Sequence, residues 1–264
     1  MARIIADAEE CARFDAARLA GLSKINEERP AGSGIGTLSE RTLHCVLKYW
    51  AQPDEACHEI SVGIGKIVAD IFDGQRVTEI QTRGFAPLTG KLRRLLEHYP
   101  VTVIHPIAVT KRLIWIDPLT GETSPPRKSP RSGNVWDAFA ELTRLRELIG
   151  HPKLDIKLVM LEVDEYRLKN GWGNGGKKGS TRAERIPVAL KEIVTLSDAT
   201  DYFSLLPPEL PSPFTVKHLE QLCGIRRRTA GAVAYSLYNA GYIIREGKAG
   251  NAWLYQTADK KPVR

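Results

Sequence analysis

The chain has 264 residues, of which 42% are hydrophobic and 26% are charged, the composition of a globular protein with a substantial apolar core. That length allows one large domain or two smaller ones. The formal net charge is +7, and residues 207–264 carry nine basic against four acidic side chains, which is most of the surplus. A local basic surplus attracts phosphate polyanions, so nucleic acid is the expected partner, although a solvated basic face would give the same count.

The cysteines form no CxxC pair and no His/Cys cluster with zinc spacing; they are Cys11, Cys45, Cys57 and Cys223. They indicate reduced thiols of a cytoplasmic protein and exclude a disulfide scaffold. Acidic residues interrupt the first ten positions too early for a signal peptide, and no apolar run is long enough to cross a bilayer. We therefore expect a cytoplasmic protein without a membrane partner.

Residues 1–36 predict an N-terminal helical segment, with a helix over residues 6–29 and a glycine-rich break over residues 30–36. The break has three glycines, but no strand precedes it and no Lys-Ser/Thr pair follows, which favours a hinge over a phosphate loop. A second helix is predicted over residues 38–51, where one helical face carries an apolar stripe of Leu43, Val46, Leu47 and Trp50.

Mixed helix and strand patterns continue to residue 205 and predict an α/β domain over residues 37–205. We expect strands at residues 58–62, 66–72 and 76–82, with a tight Asp73-Gly74 turn between the last two. The remaining elements are a helix at 88–99, strands at 101–107 and 113–116, a helix at 136–149, and strands at 156–163 and 186–196, the last with some helical character.

Two predicted loops, residues 120–133 and 170–185, are rich in basic side chains. The second contains Lys177, Lys178 and Arg182, which we expect to contact nucleic acid. Residues 206–213 contain four prolines, and each proline fixes φ and removes a hydrogen-bond donor. This segment predicts a stiff linker and a domain boundary.

Residues 214–264 predict a small winged helix-turn-helix domain. Two helices are separated by Gly224, and a hairpin with a basic glycine-rich tip follows them. The second helix begins with Arg226, Arg227, Arg228 and Thr229, at the end that enters the major groove in this class of domain. Lys248 and Asn251 at the hairpin tip suit contacts to the DNA backbone or minor groove. The alternative is a winged helix that contacts protein.

Two acidic residues, Asp70 and Glu79, lie on neighbouring predicted strands. Side chains alternate along a strand, and a turn at Asp73-Gly74 pairs Asp70 with Val77 and Val68 with Glu79. Asp70, Glu79 and Gln81 then share one face, with Asp70 and Glu79 diagonal neighbours about 7 Å apart. Two carboxylates at that separation can hold Mg²⁺ or Mn²⁺. The alternatives are ion pairs with Arg or Lys side chains, or an ordinary solvent-facing hairpin.

The element order and the Asp-x8-Glu-x-Gln spacing resemble the PD-(D/E)XK nuclease superfamily over about residues 38–107, a quarter of the chain. The resemblance implies a restriction-endonuclease-like mixed sheet flanked by helices. It also implies that Asp70, Glu79 and the carbonyl of Ile80 bind Mg²⁺ or Mn²⁺. Gln81 stands where the family usually has lysine, so the chain departs from the pattern there.

Two further residues enter as catalytic candidates. Lys91, early in the predicted helix at 88–99, could supply the positive charge that Gln81 lacks. The family often has a glutamate on its first helix, and Glu40 lies in that position. Thr37 and Glu40 also match a capping box, and the two interpretations carry about equal weight.

Together these patterns predict a Mg²⁺-dependent DNA endonuclease that a C-terminal winged helix directs to double-stranded DNA. Cutting both strands with one site per chain would require a homodimer. An inactive nuclease-like regulator that binds DNA is the alternative, which Gln81 favours. An enzyme acting on RNA is a third hypothesis, since basic loops grip either polymer.

Overall fold

The computed structural model describes residues 3–28, 41–171 and 180–258. Its helices are α1 (Ala8–Glu27), α2 (Arg41–Ala51), α3 (Leu88–His98), α4 (Phe139–Leu142), α5 (Ala199–Phe203), α6 (Val216–Leu222) and α7 (Arg227–Asn239). Its strands are β1 (Arg3–Ile5), β2 (His58–Ser61), β3 (Val68–Phe72), β4 (Val77–Ile80), β5 (Val101–Ile116), β6 (Arg127–Lys128), β7 (Leu154–Leu168), β8 (Thr181–Leu196), β9 (Ile243–Ala249) and β10 (Ala252–Thr257).

The chain has an α/β fold built on one mixed sheet of eight strands. Seven strands lie in the order β1-β8-β7-β5-β4-β3-β2, and β6 pairs with β5 outside this path. Strands β4, β5 and β7 run parallel, and the other pairs are antiparallel. Helix α3 connects the parallel strands β4 and β5. The predicted class, a mixed sheet flanked by helices, is confirmed at this level.

Each face of the sheet buries its own apolar cluster. Helices α1 and α2 cover one face, where Phe14, Leu47 and Trp50 pack with Ile80 and Ile104. Helix α3 and residues 135–149 cover the other, and the apolar faces of α6 and α7 join the same cluster. Residues 37–205 and 214–258 therefore share one core across the proline-rich segment, and Leu206 and Leu210 pack against it.

The separate strands predicted at residues 101–107 and 113–116 are a single strand, β5, which runs through Pro106. The Ile104 carbonyl accepts the N–H of Gln81, so the main-chain groups of Ile104 point toward β4. The main-chain nitrogen of Pro106, two residues further on, points to the same side but lies just beyond the end of β4. Its missing N–H therefore costs no sheet hydrogen bond.

The helix predicted at residues 136–149 is broken. A 3₁₀ turn at Val135–Ala138, the short α4 and a second 3₁₀ turn at Thr143–Leu145 replace it. The buried residues explain the difference, because Trp136, Phe139, Leu142, Leu145 and Leu148 recur at every third position. That period is typical of a 3₁₀ helix, whose side chains repeat every three residues.

The turn between β3 and β4 lies one residue later than predicted. Asp73 Oδ1 accepts the N–H groups of Gln75 at 2.8 Å and Arg76 at 2.7 Å, so Gly74 and Gln75 occupy the turn itself. The strands consequently pair Ile71 with Thr78 and Phe72 with Val77. The predicted pairing of Asp70 with Val77 and Val68 with Glu79 is wrong by two residues, an even shift that preserves the face of every side chain.

Candidate metal and nucleic-acid site

Asp70 and Glu79 lie just beyond the end of the β3–β4 pairing. That pairing joins Ile71 with Thr78 and Phe72 with Val77, so Asp70 and Glu79 are the next residues on the two strands. The Asp70 side chain also bonds the neighbouring strand, because its Oδ2 accepts the N–H of Ile80 at 2.7 Å. The two acids are close enough for the charge of Asp70 to raise the pKa of Glu79.

Asp70 is held as a carboxylate by helix α2. His44 Nε2 lies 3.2 Å from Asp70 Oδ2. Burial acts to raise the pKa of Asp70, but the hydrogen bond and charge of His44, with the N–H of Ile80, outweigh it and lower that pKa. No ligand spacing in the sequence singles out His44. Its only signal is a position beside Leu43 and Leu47, at the edge of the apolar stripe of α2.

Glu79 is only 4% exposed, and its two oxygens have different surroundings. Oε2 accepts the ammonium of Lys91 at 2.6 Å, whereas Oε1 is buried and accepts no hydrogen bond from the described residues. Burial, followed by the charge of Asp70, raises the pKa of Glu79 to about 7 against the opposing effect of Lys91. A buried carboxylate oxygen without a partner requires a proton or a cation.

Lys91 therefore reaches the acid pair, in the position proposed for it, from helix α3. Gln81 takes a different direction. Its side-chain Nε2 donates to the carbonyl of Gly84 at 2.8 Å. The main-chain carbonyl of Gln81 accepts a hydrogen bond from His105 Nδ1 at 2.6 Å. The Gln81 side chain thus holds the loop after β4, and no hydrogen bond joins it to Asp70 or Glu79 among the described contacts.

The donor set fits a divalent cation in part. The oxygens that accept no described hydrogen bond, Oδ1 of Asp70 and Oε1 of Glu79, belong to the hard carboxylate type that Mg²⁺ and Mn²⁺ prefer. Two carboxylates with waters and a substrate phosphate complete such a site in many proteins. Within the described ranges no group of three or more His, Cys, Asp or Glu residues could hold a metal. Glu40 lies outside the described residues, and the Ile80 carbonyl as a ligand stays a prediction.

The basic residues predicted for the second helix of the C-terminal module are at its start. Helix α7 begins at Arg227, whose guanidinium lies 3.3 Å from Glu220 of α6. Arg228 is exposed. Arg226 and Thr229 line a cavity of about 620 Å³ between α7 and the large sheet. The start of α7 therefore faces the large sheet across this cavity.

The β9–β10 hairpin carries its cations on aromatic rings. The ammonium of Lys248 lies 4.5 Å from the ring centre of Trp253. The guanidinium of Arg245 lies 4.3 Å from Tyr238 and 4.4 Å from Trp253. Asn251 is exposed at the hairpin tip, as expected. Tyr238 and Trp253 are themselves partly exposed, so this surface is both apolar and basic.

A second charged cluster, absent from the sequence predictions, surrounds Glu165 on β7. Glu165 is fully buried and lies within 3.6 Å of four cations, which are Lys111, Arg167, Arg182 and Arg185. Burial opposes ionisation, but these cations lower the pKa of Glu165 to about 2. Arg182 is accordingly on strand β8 and not in the loop predicted for it, whereas Lys177 and Lys178 lie outside the described residues.

Residues 41–197, more than half of the chain, match a protein family described as a domain of unknown function, DUF8091. The chain belongs to this family. The DUF8091 region contains His44, Asp70, Glu79, Lys91 and Glu165, and it ends before α6 and α7. A curated relative, an uncharacterized protein of Treponema pallidum (strain Nichols), is 24% identical over 217 residues, which cover 81% of this chain and 82% of the relative. No solved structure matches the chain.

The likeness to the Treponema protein extends beyond the DUF8091 region, since it covers more of the chain than the family match does. No helix among the described ranges is long and apolar enough to cross a membrane.

Proposed function

We propose that the chain is a metal-dependent nuclease that hydrolyses phosphodiester bonds, with Asp70 and Glu79 as the residues that hold Mg²⁺ or Mn²⁺. The observation that carries the proposal is Oε1 of Glu79, which is buried, accepts no hydrogen bond from the described residues and lies near the charge of Asp70. When bound, the cation supplies a Lewis acid that polarises the phosphodiester and lowers the pKa of a water.

The order of elements supports the proposal. Helix α2 precedes the antiparallel strands β2, β3 and β4, and helix α3 then leads to β5, which is parallel to β4. This is the order that the resemblance to PD-(D/E)XK nucleases implies. By this resemblance we assign Asp70 on β3 and Glu79 on β4 the role of the acidic ligands.

Lys91 is the residue to which we assign charge stabilisation. In hydrolysis a water oxygen forms a bond to phosphorus, and the bond to the leaving sugar oxygen breaks with its electron pair on that oxygen. The leaving oxygen takes a proton, and the products are a phosphate monoester and a hydroxyl. The ammonium of Lys91, 2.6 Å from Glu79, lies where it can stabilise negative charge that develops on the phosphoryl oxygens.

His44 is a positioning residue in this proposal. Its hydrogen bond to Asp70 Oδ2 fixes the carboxylate and leaves Oδ1 for the cation. The N–H of Ile80 fixes the same oxygen from the other strand. Bonds of this kind orient metal ligands in proteins and strengthen metal affinity.

DNA is the proposed substrate, and the C-terminal module is its proposed binding unit. Helices α6 and α7, the β9–β10 hairpin, and the bridge between Phe214 and Tyr255 follow the element order of a winged helix. Arg228 and Asn251 are exposed on this module. Cleavage of both strands would use two copies of the chain, which sedimentation of the protein on DNA tests.

The experiment is a cleavage assay with supercoiled plasmid, short duplexes and single strands, in Mg²⁺, Mn²⁺ or chelator. Asp70→Asn, Glu79→Gln and Lys91→Gln should each reduce metal-dependent cleavage by about 100-fold or more. Glu97→Gln, which changes an exposed acid on the same helix as Lys91, should leave cleavage unchanged. Absence of metal-dependent cleavage of every substrate by the unaltered protein would overturn the proposal.

A second candidate is a DNA-binding protein that does not cut. The direction of the Gln81 side chain favours it, because this amide bonds Gly84 and not the acid pair. In that case the same assay shows no cleavage, while the protein still retards duplex DNA in a salt-dependent manner.

A further inference from the structure

A basic cavity of about 620 Å³ separates the sheet from the start of α7. Its cationic side chains come from four different parts of the chain: Lys111 from β5, Arg131 from the loop after β6, Arg185 from β8 and Arg226 from the residue before α7. Thr229 lines it with a hydroxyl group, and Ser132 also lines it but donates its hydroxyl to the carbonyl of Val109. Such a set of donors and charges matches a phosphate ligand.

Nearby acids balance only part of this charge. Asp137, the acidic lining residue, uses its Oδ2 to accept the N–H of Asn134 at 3.0 Å. Glu165 contacts Lys111 and Arg185 from behind, but Arg167 and Arg182 share the same carboxylate. Burial and the neighbouring arginines lower the pKa of Lys111 although Glu165 opposes them. The cations that line the cavity therefore outnumber its acidic lining residue, Asp137.

A second cavity of about 430 Å³ adjoins the first, and Lys111, Pro130, Arg131 and Ser132 line both. The second adds Arg127 and Lys128 of β6 to its lining. Hydrogen bonds hold the shared wall against β5, since Gly133 N donates to Ala108 O and Ser129 N donates to Lys111 O. The two adjoining cavities together form a basic surface, here called the basic track, with cations contributed by both.

The track starts close to the acid pair. Glu79 pairs with Val103 of β5, and His105, which lines the first cavity, lies two residues beyond Val103 on the same face. Strand spacing then puts the backbones of Glu79 and His105 about 8 Å apart. His105 Nδ1 donates to the carbonyl of Gln81, which connects the cavity wall directly to the loop after Glu79.

We propose that this basic track binds the phosphates of one nucleic-acid strand, with the start of α7 closing over the strand. A cavity of this size falls within the range of about 300–1,000 Å³ typical of small-ligand sites. A volume in this range has no room for a duplex, whose major groove alone is about 12 Å across. Arg226 and Thr229 thus face a single strand, and only the exposed parts of the C-terminal module are available to a duplex.

This inference rests on the proposed nuclease function, because a single strand bound along the track would extend to Asp70 and Glu79. Binding to the track can be measured apart from cleavage. In chelator, fluorescence anisotropy with a 12-nucleotide DNA strand reports binding alone, and a blunt duplex of the same sequence and a mononucleotide serve as comparisons.

The single strand should bind at least about tenfold more tightly than the duplex or the mononucleotide. The double variant Arg131→Ala/Arg226→Ala should weaken strand binding about tenfold or more and reduce the salt slope by about 1.4, since each lost phosphate contact changes a single-strand slope by about 0.7. Lys66→Ala/Lys153→Ala removes equal charge from exposed sites outside the track and should change neither value. Melting curves check that each variant is folded.

Equal or tighter binding of the duplex, or an unchanged salt slope in the Arg131/Arg226 variant, would overturn the track. Failure of the nuclease proposal gives a different result. In that case Glu79→Gln and the unaltered protein bind the strand equally well in chelator, and neither cuts it when Mg²⁺ is added.

Discussion

The ammonium of Lys91 lies 2.6 Å from Oε2 of Glu79, so helix α3 brings a cation to a carboxylate that strand β4 buries. The other oxygen, Oε1, is buried and accepts no hydrogen bond from the described residues. Oε2 therefore has a cationic hydrogen-bond donor, whereas Oε1 is available to a proton or a metal ion. This asymmetry makes Glu79 sensitive to pH and to cations, and both effects can be measured.

Folding stability should fall as pH rises through the range in which Glu79 titrates. The pKa of Glu79 is raised from 4.5 to about 7 in the folded protein. The folded state keeps its proton up to that pH, whereas the unfolded state releases it near 4.5, so unfolding releases a proton between these values. The contribution of Glu79 is favourable below pH 4.5 and is lost by about pH 7, a change of about 3 kcal/mol.

Urea denaturation at pH 5 and pH 8 measures this change. Glu79→Gln should flatten the profile and unfold at higher urea than the unaltered protein at pH 8, because the neutral amide needs no proton. Mg²⁺ should stabilise the unaltered protein at pH 8 and leave Glu79→Gln unaffected, since only an open carboxylate binds it. Identical pH profiles for the two proteins would contradict the burial of an unpartnered Glu79 oxygen.

Lys91 should matter more for cleavage than Gln81. Lys91→Gln removes the positive charge beside Glu79 and should lower kcat by about 100-fold. Gln81→Ala removes only the hydrogen bond to Gly84 and should lower the rate by less than about tenfold. Single-turnover kinetics separate the chemical step from strand binding, and a larger loss in Gln81→Ala than in Lys91→Gln would reverse the assignment.

Much of the acid pair could be predicted from the sequence, because strand alternation depends only on local residues. An error of two residues in the register preserved the alternation along the two strands, and Asp70 still lies near enough to raise the pKa of Glu79. Lys91 could be proposed because it is early in the helix that follows β4. His44 could not, because its contact with Asp70 depends on how α2 packs across the sheet.

Other differences also have local or long-range causes. The broken helix at residues 135–145 buries every third residue. The same apolar spacing is visible in the sequence, but it is close enough to the α-helical period to predict an α-helix. The cations around Glu165 come from three strands, and no sequence spacing links Lys111 to Arg185. The core shared by α7 and the sheet is likewise a long-range feature, and the four prolines before Phe214 gave no sign of it.

His44→Ala should make the protein more sensitive to acid. His44 lowers the pKa of Asp70, so this carboxylate stabilises the fold above its unfolded pKa and loses that effect as pH falls through the folded value. Without His44 the folded pKa of Asp70 rises, and the loss begins at higher pH. Urea midpoints from pH 3 to 6 measure the shift, for which we expect a loss of about 1 kcal/mol. His98→Ala, at an exposed histidine, provides the control, and equal acid profiles of the two variants would exclude this role.

Glu165→Gln should destabilise the fold strongly. Four cations converge on this buried carboxylate, and its removal leaves them without a shared partner. Breaking a buried ion pair in this way costs about 3–5 kcal/mol. The matched control is Asp164→Asn at the preceding residue, where Asp164 pairs with the more exposed Arg112 at 2.6 Å and should contribute about 1 kcal/mol or less. Similar losses in both variants would show that the Glu165 cluster has no special role.

The DUF8091 region and the C-terminal module should unfold in one cooperative transition, because one apolar cluster includes both. Gly150 and Tyr242 meet where they join. Gly150 has a φ of +86°, and a Cβ added there would lie 2.9 Å from Oη of Tyr242. Gly150→Ala should therefore shift the whole transition to lower temperature, by the strain of a positive φ, about 1–2 kcal/mol, plus the clash.

The control for backbone strain alone is Gly121→Ala, because Gly121 has a φ of +74° and a Cβ there meets no atom within 4 Å. Calorimetry should show one peak for the unaltered protein and both variants, with the larger shift in Gly150→Ala. Two separate peaks, with only the smaller one moved by Gly150→Ala, would show that the C-terminal module folds independently of the sheet.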